Sequence, residues 1–357
     1  MRWLSVLSVV ICLFALPARA GRIRVTTWNM HLSASAAKAA EATGAPMQTV
    51  AEFLRSLDSD VLLLQEVCDR EVCENLVQLL GSESYQLLVV SDFAQGASGD
   101  GRKKQIAIVA KHAAVAVAAE EWQTGGALDL PGGFVRAVVR IGQHNLGFFC
   151  VHLKNNSTRG NYLRDNQLNI FKRESAAAHL IERVKAIESE KSPRLDAVVV
   201  GGDFNTSPDQ SRFVSEQTLG LLRDAHLQDV FDGLAASERV TCPGRGRYAD
   251  VTFDYIFVNN AELRAEPTIM RTNLSDHFPV TCELELKEVT PPLAVTTPAP
   301  PATTEDIALT PTGVPATIPV ASAPPTALPG KEGAPWLLAL ALLLGIGGFA
   351  CWRWSLK

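Results

Sequence analysis

The chain has 357 residues, 47% of them hydrophobic and 20% charged, with a formal net charge of −5. That length admits one large domain or two. The composition is globular on average, which excludes a chain disordered throughout, but the average conceals three unlike segments.

Residues 1–20, "MRWLSVLSVVICLFALPARA", open with Arg2, continue with an apolar run from Leu4 to Leu16 and close on Ala18-Arg19-Ala20. This is the pattern of a secretory signal peptide cleaved after Ala20. Residues 290–333 are crowded with Pro, Ala and Thr and have too little apolar bulk to fold. Such a tether stays extended at about 3.1 Å per residue and reaches on the order of 100 Å. Residues 334–352 are apolar throughout, with Trp336 and Trp352 near their ends, and predict a transmembrane helix. Arg353 and Lys357 place the 353–357 tail in the cytoplasm. A sorting signal that is later cut is the alternative for this span. The expectation is an exported domain, periplasmic or at the cell surface, tethered to the membrane at its C-terminal end.

Residues 21–289 suit a single α/β domain. In chain order, "IRVTTWN" predicts a strand ending at Asn29. Met47, Val50, Phe53, Leu54 and Leu57 recur at helical spacing. "DVLLLQE" is a short buried strand ending at Glu66. Cys68 and Cys73 are close enough in sequence for a small disulfide of an exported protein. "QIAIVA" and "FVRAVVRI" are further strands, and "NLGFFCVHL" is a strand ending at His152 with Cys150 as a buried thiol. A helix is expected over Asn166–Ile187, with Phe171, Ala178, Ile181 and Val184 on one face. "AVVVGGDFN" drives a strand up to Asp203 and Asn205. "VTFDYIFV" and "PVTCELEL" close the domain. The chain contains no CxxC pair, so a thiolate zinc site is not supported.

Polar residues therefore stand where apolar strands end: Asn29, Glu66, His152, Asp203, Asn205, Asp254, Asp276 and His277. Each has an ordinary explanation by itself. Glu66 could cap the next helix, and Asp203 with Asn205 could form an Asx-turn. Together they describe a cleft at one sheet edge, lined with acids and histidines.

At these residues the chain resembles the endonuclease/exonuclease/phosphatase superfamily of deoxyribonuclease-like phosphodiesterases. The stretches are "TTWNMHL", "LLLQEV", "VHLKNN", "GGDFN", "FDYIF" and "SDHFPV", in family order from Arg24 to Leu286. The resemblance implies a four-layer α/β sandwich, two stacked mixed β-sheets flanked by helices, and metal-dependent cleavage of phosphate esters. It implies that Glu66 and Asp276 hold a divalent metal that Asn29 orients, that His152 touches the scissile phosphate, and that Asp203 aligns the attacking water with help from Asn205. Asp254 would orient His277, the acid–base residue. Arg136 would match a phosphate-binding arginine. Two residues after Asn29, some relatives carry an acid; this chain has His31.

Oxygen ligands suit Mg²⁺, with Mn²⁺ or Ca²⁺ as alternatives. Asp203 supplies an acceptor for water, while the Asn205 amide donates to phosphate without repelling it. Gly201 and Gly202 are expected to let backbone and substrate approach closely. For the substrate, the leading expectation is a nucleic acid backbone, DNA and perhaps RNA, bound through phosphates by Arg102, Lys103, Lys104, Lys154, Arg159 and Arg164. The alternative is a sphingomyelinase-like phospholipid phosphodiesterase. A non-enzymatic binding domain on a stalk would predict decay among these residues, and none is seen. No protein partner is evident.

Overall fold

A computed structural model describes residues 22–32, 45–93, 104–122, 130, 132–158, 160–246 and 248–286. The predicted signal peptide, linker, membrane span and tail lie outside these residues. Among the described residues no helix is long and apolar enough to cross a membrane.

The strands in chain order are β1 (Arg22–Asn29), β2 (Val61–Gln65), β3 (Gln86–Val90), β4 (Ile106–Ala110), β5 (Ala114–Glu121), β6 (Gly133–Ile141), β7 (His144–His152), β8 (Ala197–Asp203), β9 (Gln228–Asp229), β10 (Asp254–Asn259), β11 (Ala261–Leu263), β12 (Thr268–Ile269) and β13 (Val280–Leu286). The helices are α1 (Ala45–Ser56), α2 (Arg70–Leu80), α3 (Tyr162–Glu188) and α4 (Thr218–Asp224). One sheet runs β11-β13-β1-β2-β4-β3, with β12 on β13; the other runs β5-β6-β7-β8-β10-β9. Two mixed sheets with flanking helices are the architecture expected from the sequence.

Each sheet has one parallel pair at its centre, β1 with β2 and β7 with β8, and every other pairing is antiparallel. The register brings Asn29 opposite Gln65 in the first sheet and His152 opposite Asp203 in the second. Both parallel pairs therefore deliver polar residues at their C-terminal ends. Asp254 begins β10 and pairs with Asp203, because β10 runs antiparallel to β8. Asp276 and His277 likewise precede β13, which runs antiparallel to β1. These three lead their strands instead of ending them, yet reach the same edge because their strands run the other way.

The core follows from side-chain alternation along doubly buried strands. On β2, Val61 and Leu63 join the cluster that contains both sheets, while Leu62 and Leu64 join the cluster with Met47, Val50 and Leu54 of α1 and Leu76 of α2. On α3, Ala177, Leu180, Val184 and Ile187 are buried in the same cluster as the second sheet. Helix α3 is longer than the apolar pattern predicted. It starts at Tyr162, where the Asn161 side chain caps it by accepting from the Arg164 amide.

The glycines of "VVVGGDFN" serve packing. A Cβ on Gly201 would lie 2.6 Å from Leu63 Cδ1 of the facing sheet, and one on Gly202 would lie 2.0 Å from the Val151 carbonyl oxygen. The space they clear is filled by protein, which corrects the expectation that it serves substrate.

Cys68 and Cys73 are not joined by a disulfide. Both are buried in the apolar cluster beneath α1 and α2, where the Cys68 thiol donates to Asp69 Oδ2 and burial pushes the Cys73 thiol up to about 12. Small apolar bulk is what this position of the core uses.

Candidate active site

Asn29 joins the two sheets. Its Nδ2 donates to Asp203 Oδ2 at 2.9 Å and lies 3.5 Å from Glu66 Oε1. His152 Nε2 sits between the same two acids, 3.6 Å from Asp203 Oδ2 and 3.7 Å from Glu66 Oε1. Glu66 is free for this work because Asp69 caps α2 in its place, with Oδ1 accepting from the Val72 amide at 3.1 Å. Glu66 also has a positive φ of 54°, which turns the chain sharply where β2 ends.

Burial alone would raise the Glu66 carboxyl. His152, Lys104 and His31 together outweigh it and pull the group down to about 2. Lys104 Nζ donates to Glu66 Oε1 at 2.8 Å. His31 Nδ1 lies 3.5 Å from Glu66 Oε2 and 3.4 Å from Asp276 Oδ1. Sequence reasoning assigned Lys104 to nucleic-acid phosphate and gave His31 no role. The signal available for both was the missing acid at position 31, since two carboxylates without a third acid leave room for local cations.

Asp203 uses its oxygens separately. Oδ1 accepts from the Asn205 amide at 2.8 Å, which is an Asx-turn, while Oδ2 accepts from Asn29. The ordinary reading and the functional one are thus both satisfied by one side chain. Asn205 takes a positive φ of 54°, and its Nδ2 donates to the Leu153 carbonyl at 3.1 Å. Its own carbonyl accepts from Asn156 Nδ2 at 2.8 Å. Asn156 is in turn gripped by Arg173 of α3, a fully buried guanidinium that also holds the Lys154 carbonyl and both oxygens of Glu216. Nothing in the sequence singled out Arg173, because its partners come from two separate loops, one after β7 and one before α4.

His277 Nδ1 meets Asp254 Oδ2 at 2.7 Å, and both residues are buried. The Trp28 indole donates to the His277 carbonyl at 2.9 Å and Ser275 Oγ accepts from the His277 amide at 3.1 Å, which fixes the backbone. Burial opposes charge on the imidazole. The Asp254 carboxylate overcomes it, and Asp203 adds to the effect, so His277 is held well above the ordinary histidine range. Donor atoms of Asp203, Asp254 and His277 all lie within 4.8 Å of one another.

The structure therefore gathers Asn29, Glu66, His152, Asp203, Asn205, Asp254, Asp276 and His277 into one cleft. Two expected residues stand elsewhere. Arg136 lies mid-strand on β6, where Nε pairs with Glu120 of β5 at 3.3 Å, and Arg183 of α3 shares that carboxylate. Side-chain alternation turns it toward α3, apart from the residues gathered above. Lys154 Nζ bonds Asn155 Oδ1 at 2.6 Å and Ser157 Oγ at 3.4 Å beside the cleft. Arg102, Lys103 and Arg159 lie outside the described residues.

The donor set suits a hard divalent cation. Glu66 stays ionised, Asp276 and the Asn29 amide add oxygens, and the Lys104 ammonium with the His31 imidazole marks a place where positive charge is stabilised.

Two stacked mixed sheets with flanking helices, and acids and histidines at one edge, are the architecture of the endonuclease/exonuclease/phosphatase fold. The sequence matches the model of the Endonuclease/Exonuclease/phosphatase family over residues 26–277, and the chain belongs to that family. Its members hydrolyse phosphoester bonds and generally depend on a divalent metal. No curated protein matches the sequence significantly. Among solved structures, an endonuclease/exonuclease/phosphatase from Bacteroides vulgatus superposes with a TM-score of 0.55 at 15% identity, covering 74% of this chain and 99% of that one. The beta toxin of Staphylococcus aureus gives 0.51 at 16% identity over 74% and 100%. ANGEL2, a 2′,3′-cyclic phosphatase, gives 0.52 at 16% identity over 74% and 95%. At such identities the likeness establishes the fold.

Proposed function

We propose that the protein is an exported, membrane-tethered, divalent-metal-dependent phosphodiesterase that acts as an endonuclease on DNA, with RNA as a further substrate. The observation that carries the phosphodiesterase reading is the meeting of Asp203, Asp254 and His277 within 4.8 Å, joined through Asn29 to Glu66.

Glu66, Asp276 and Asn29 would hold the metal, Mg²⁺ by the chemistry of the donors, with Mn²⁺ or Ca²⁺ able to replace it. Bound there, the ion supplies neutralisation of the charge that grows on the phosphoryl oxygens. The remaining work falls to the chain. His152 binds the scissile phosphate beside Glu66 and Asp203. Asp203 accepts a hydrogen bond from the attacking water and aligns it, since each carboxylate oxygen keeps a second acceptor site after its internal bond. Asn205 offers phosphate the second N–H of an amide whose first N–H is committed to Leu153. Asp254 fixes the tautomer of His277 and stabilises its imidazolium, leaving Nε2 to exchange the proton.

For the nuclease reading, support comes from Lys154 beside the cleft and from Arg164, exposed in the first turn of α3. A phospholipid diester is the second reading, favoured by the predicted membrane tether. The test is to incubate the purified full chain with plasmid DNA, RNA and sphingomyelin, in Mg²⁺, Mn²⁺, Ca²⁺ or EDTA. Plasmid nicking abolished by EDTA is the expected result. Release of phosphocholine without nicking would transfer the activity to phospholipid.

A further inference from the structure

Downstream of Asn205 the chain makes a short helical turn, Ser211–Phe213. Arg212 in this turn is unlike the arginines around it. Arg173 pairs with Glu216, Arg223 with Asp229 and Arg239 with Asp209, each at 2.6 Å. Among the described residues Arg212 has no carboxylate within ion-pair distance, and its buried Nε has no hydrogen-bond partner. Its guanidinium instead rests on aromatic rings, 4.5 Å from the centroid of Phe213 and 6.0 Å from that of Phe253. The Phe253 ring also lies against His277, tilted by 31° at 6.4 Å between centroids. The unsatisfied cation therefore stands one ring away from the acid–base histidine.

A partly buried guanidinium without a counter-ion is costly to the fold. Burial lowers its proton affinity, and the charge of nearby Arg173 lowers it further. An arrangement that keeps this cost in place, on a platform shared with the reacting histidine, is suited to an anion that arrives with the substrate. The first turns of α3 lie against this segment, with Asn166 Nδ2 3.5 Å from the Arg212 carbonyl oxygen, and Tyr162, which opens that helix, is 55% exposed. Exposed rings beside a cation are the combination that holds single-stranded nucleic acid, with phosphate on the charge and base on the ring.

We propose that Arg212, seated on Phe213 and Phe253, binds a second phosphate of a single-stranded nucleic acid substrate, adjacent to the phosphate being cleaved, with Tyr162 as a stacking surface for its bases. This rests on the nuclease reading and specifies its substrate as a strand carrying at least two phosphates.

The experiment compares full-length wild type, Arg212→Gln and Arg212→Lys. Binding of a fluorescein-labelled single-stranded DNA 12-mer is followed by anisotropy in EDTA across a salt series, and cleavage of the same oligonucleotide and of bis(p-nitrophenyl) phosphate is followed with Mg²⁺. Arg212→Gln should bind the oligonucleotide about tenfold more weakly at low salt. The slope of log affinity against log salt should flatten by about 0.7. Arg212→Lys should keep most of that slope, and the loss of kcat/KM in Arg212→Gln should be larger on the oligonucleotide than on the small diester. Wild-type affinity and slope in Arg212→Gln would overturn the inference and leave the nuclease reading standing. A wild type that nicks plasmid but neither binds nor cuts the oligonucleotide would overturn the inference alone, and one that does neither would overturn both.

Discussion

The two halves of the cleft solve opposite electrostatic problems. Around Glu66 and Asp276, carboxylates are surrounded by the Lys104 ammonium and the imidazoles of His31 and His152, and Glu66 is ionised far below the usual carboxylate range. Around His277 the relation is inverted. A buried imidazole is surrounded by the carboxylates Asp254 and Asp203 and is protonated far above the usual histidine range. On the proposed reading the first half would hold a cation, and the second would hold and release a proton. Neighbouring residues of one loop serve both halves, since Asp276 faces His31 while His277 faces Asp254. The comparison teaches that the same residue types, placed at one sheet edge, acquire different chemistry from the sign of their surroundings.

The largest effect that could break this division is expected at the proton-transfer half. His277→Ala should lower kcat by roughly 10²–10⁴-fold, with a far-UV circular dichroism spectrum unchanged from wild type. Near-wild-type turnover in the folded variant would remove His277 from the chemistry.

Next in size is the residue that joins the halves. Asn29→Ala removes donors to both Asp203 and Glu66. Loss of such an orienting partner typically costs about 10–100-fold in metal affinity, read by calorimetric titration with Mn²⁺. Unchanged affinity would mean that the halves are organised independently of each other.

A smaller effect concerns acid stability in the absence of metal. The Glu66 carboxyl is depressed from 4.5 to about 2, so its contribution is complete above about pH 4.5 and is lost as pH falls toward 2. Thermal unfolding of the chelated protein should show this loss, and Glu66→Gln should lack that part of it. Identical acid limbs in the two proteins would contradict the ionised state of Glu66.

The smallest effect is expected outside the cleft. Arg136→Gln breaks only a half-buried ion pair with Glu120, worth about 1 kcal/mol or less, and should leave turnover unaltered. A large loss of kcat would return Arg136 to the site.

Much of this arrangement was legible in the sequence, for identifiable reasons. Runs such as "VLLLQE" and "VVVGGDFN" are buried on both faces, so their composition alone marks them as central strands, and the polar residues that end them stand out. Strand β5 alternates half-buried Ala and Glu with exposed Val115, Val117, Ala119 and Glu121 and lacks that contrast. The two-residue strands β9 and β12 are too short to show a pattern. That Asp254 and His277 lead their strands, and still reach the cleft, depends on antiparallel pairing that no local window contains. Arg136 stands apart from the cluster because a single step of alternation decides which face of β6 it occupies. The Cys68–Cys73 bridge failed because proximity in sequence does not show that both thiols are packed as apolar bulk. Lys104 on Glu66, Arg173 beneath the Asn156 loop and the unpartnered Arg212 all depend on tertiary neighbours, and for them composition offers no guide.

The most direct measurement compares metal binding in Glu66→Gln and His277→Ala, by calorimetric titration of each full-length protein with Mn²⁺. The division of labour predicts that Glu66→Gln loses affinity strongly, while His277→Ala binds as wild type does despite its collapsed turnover. If His277→Ala loses the metal and Glu66→Gln keeps it, the ion belongs among Asp203, Asp254 and His277, and the assignment of the two halves is wrong.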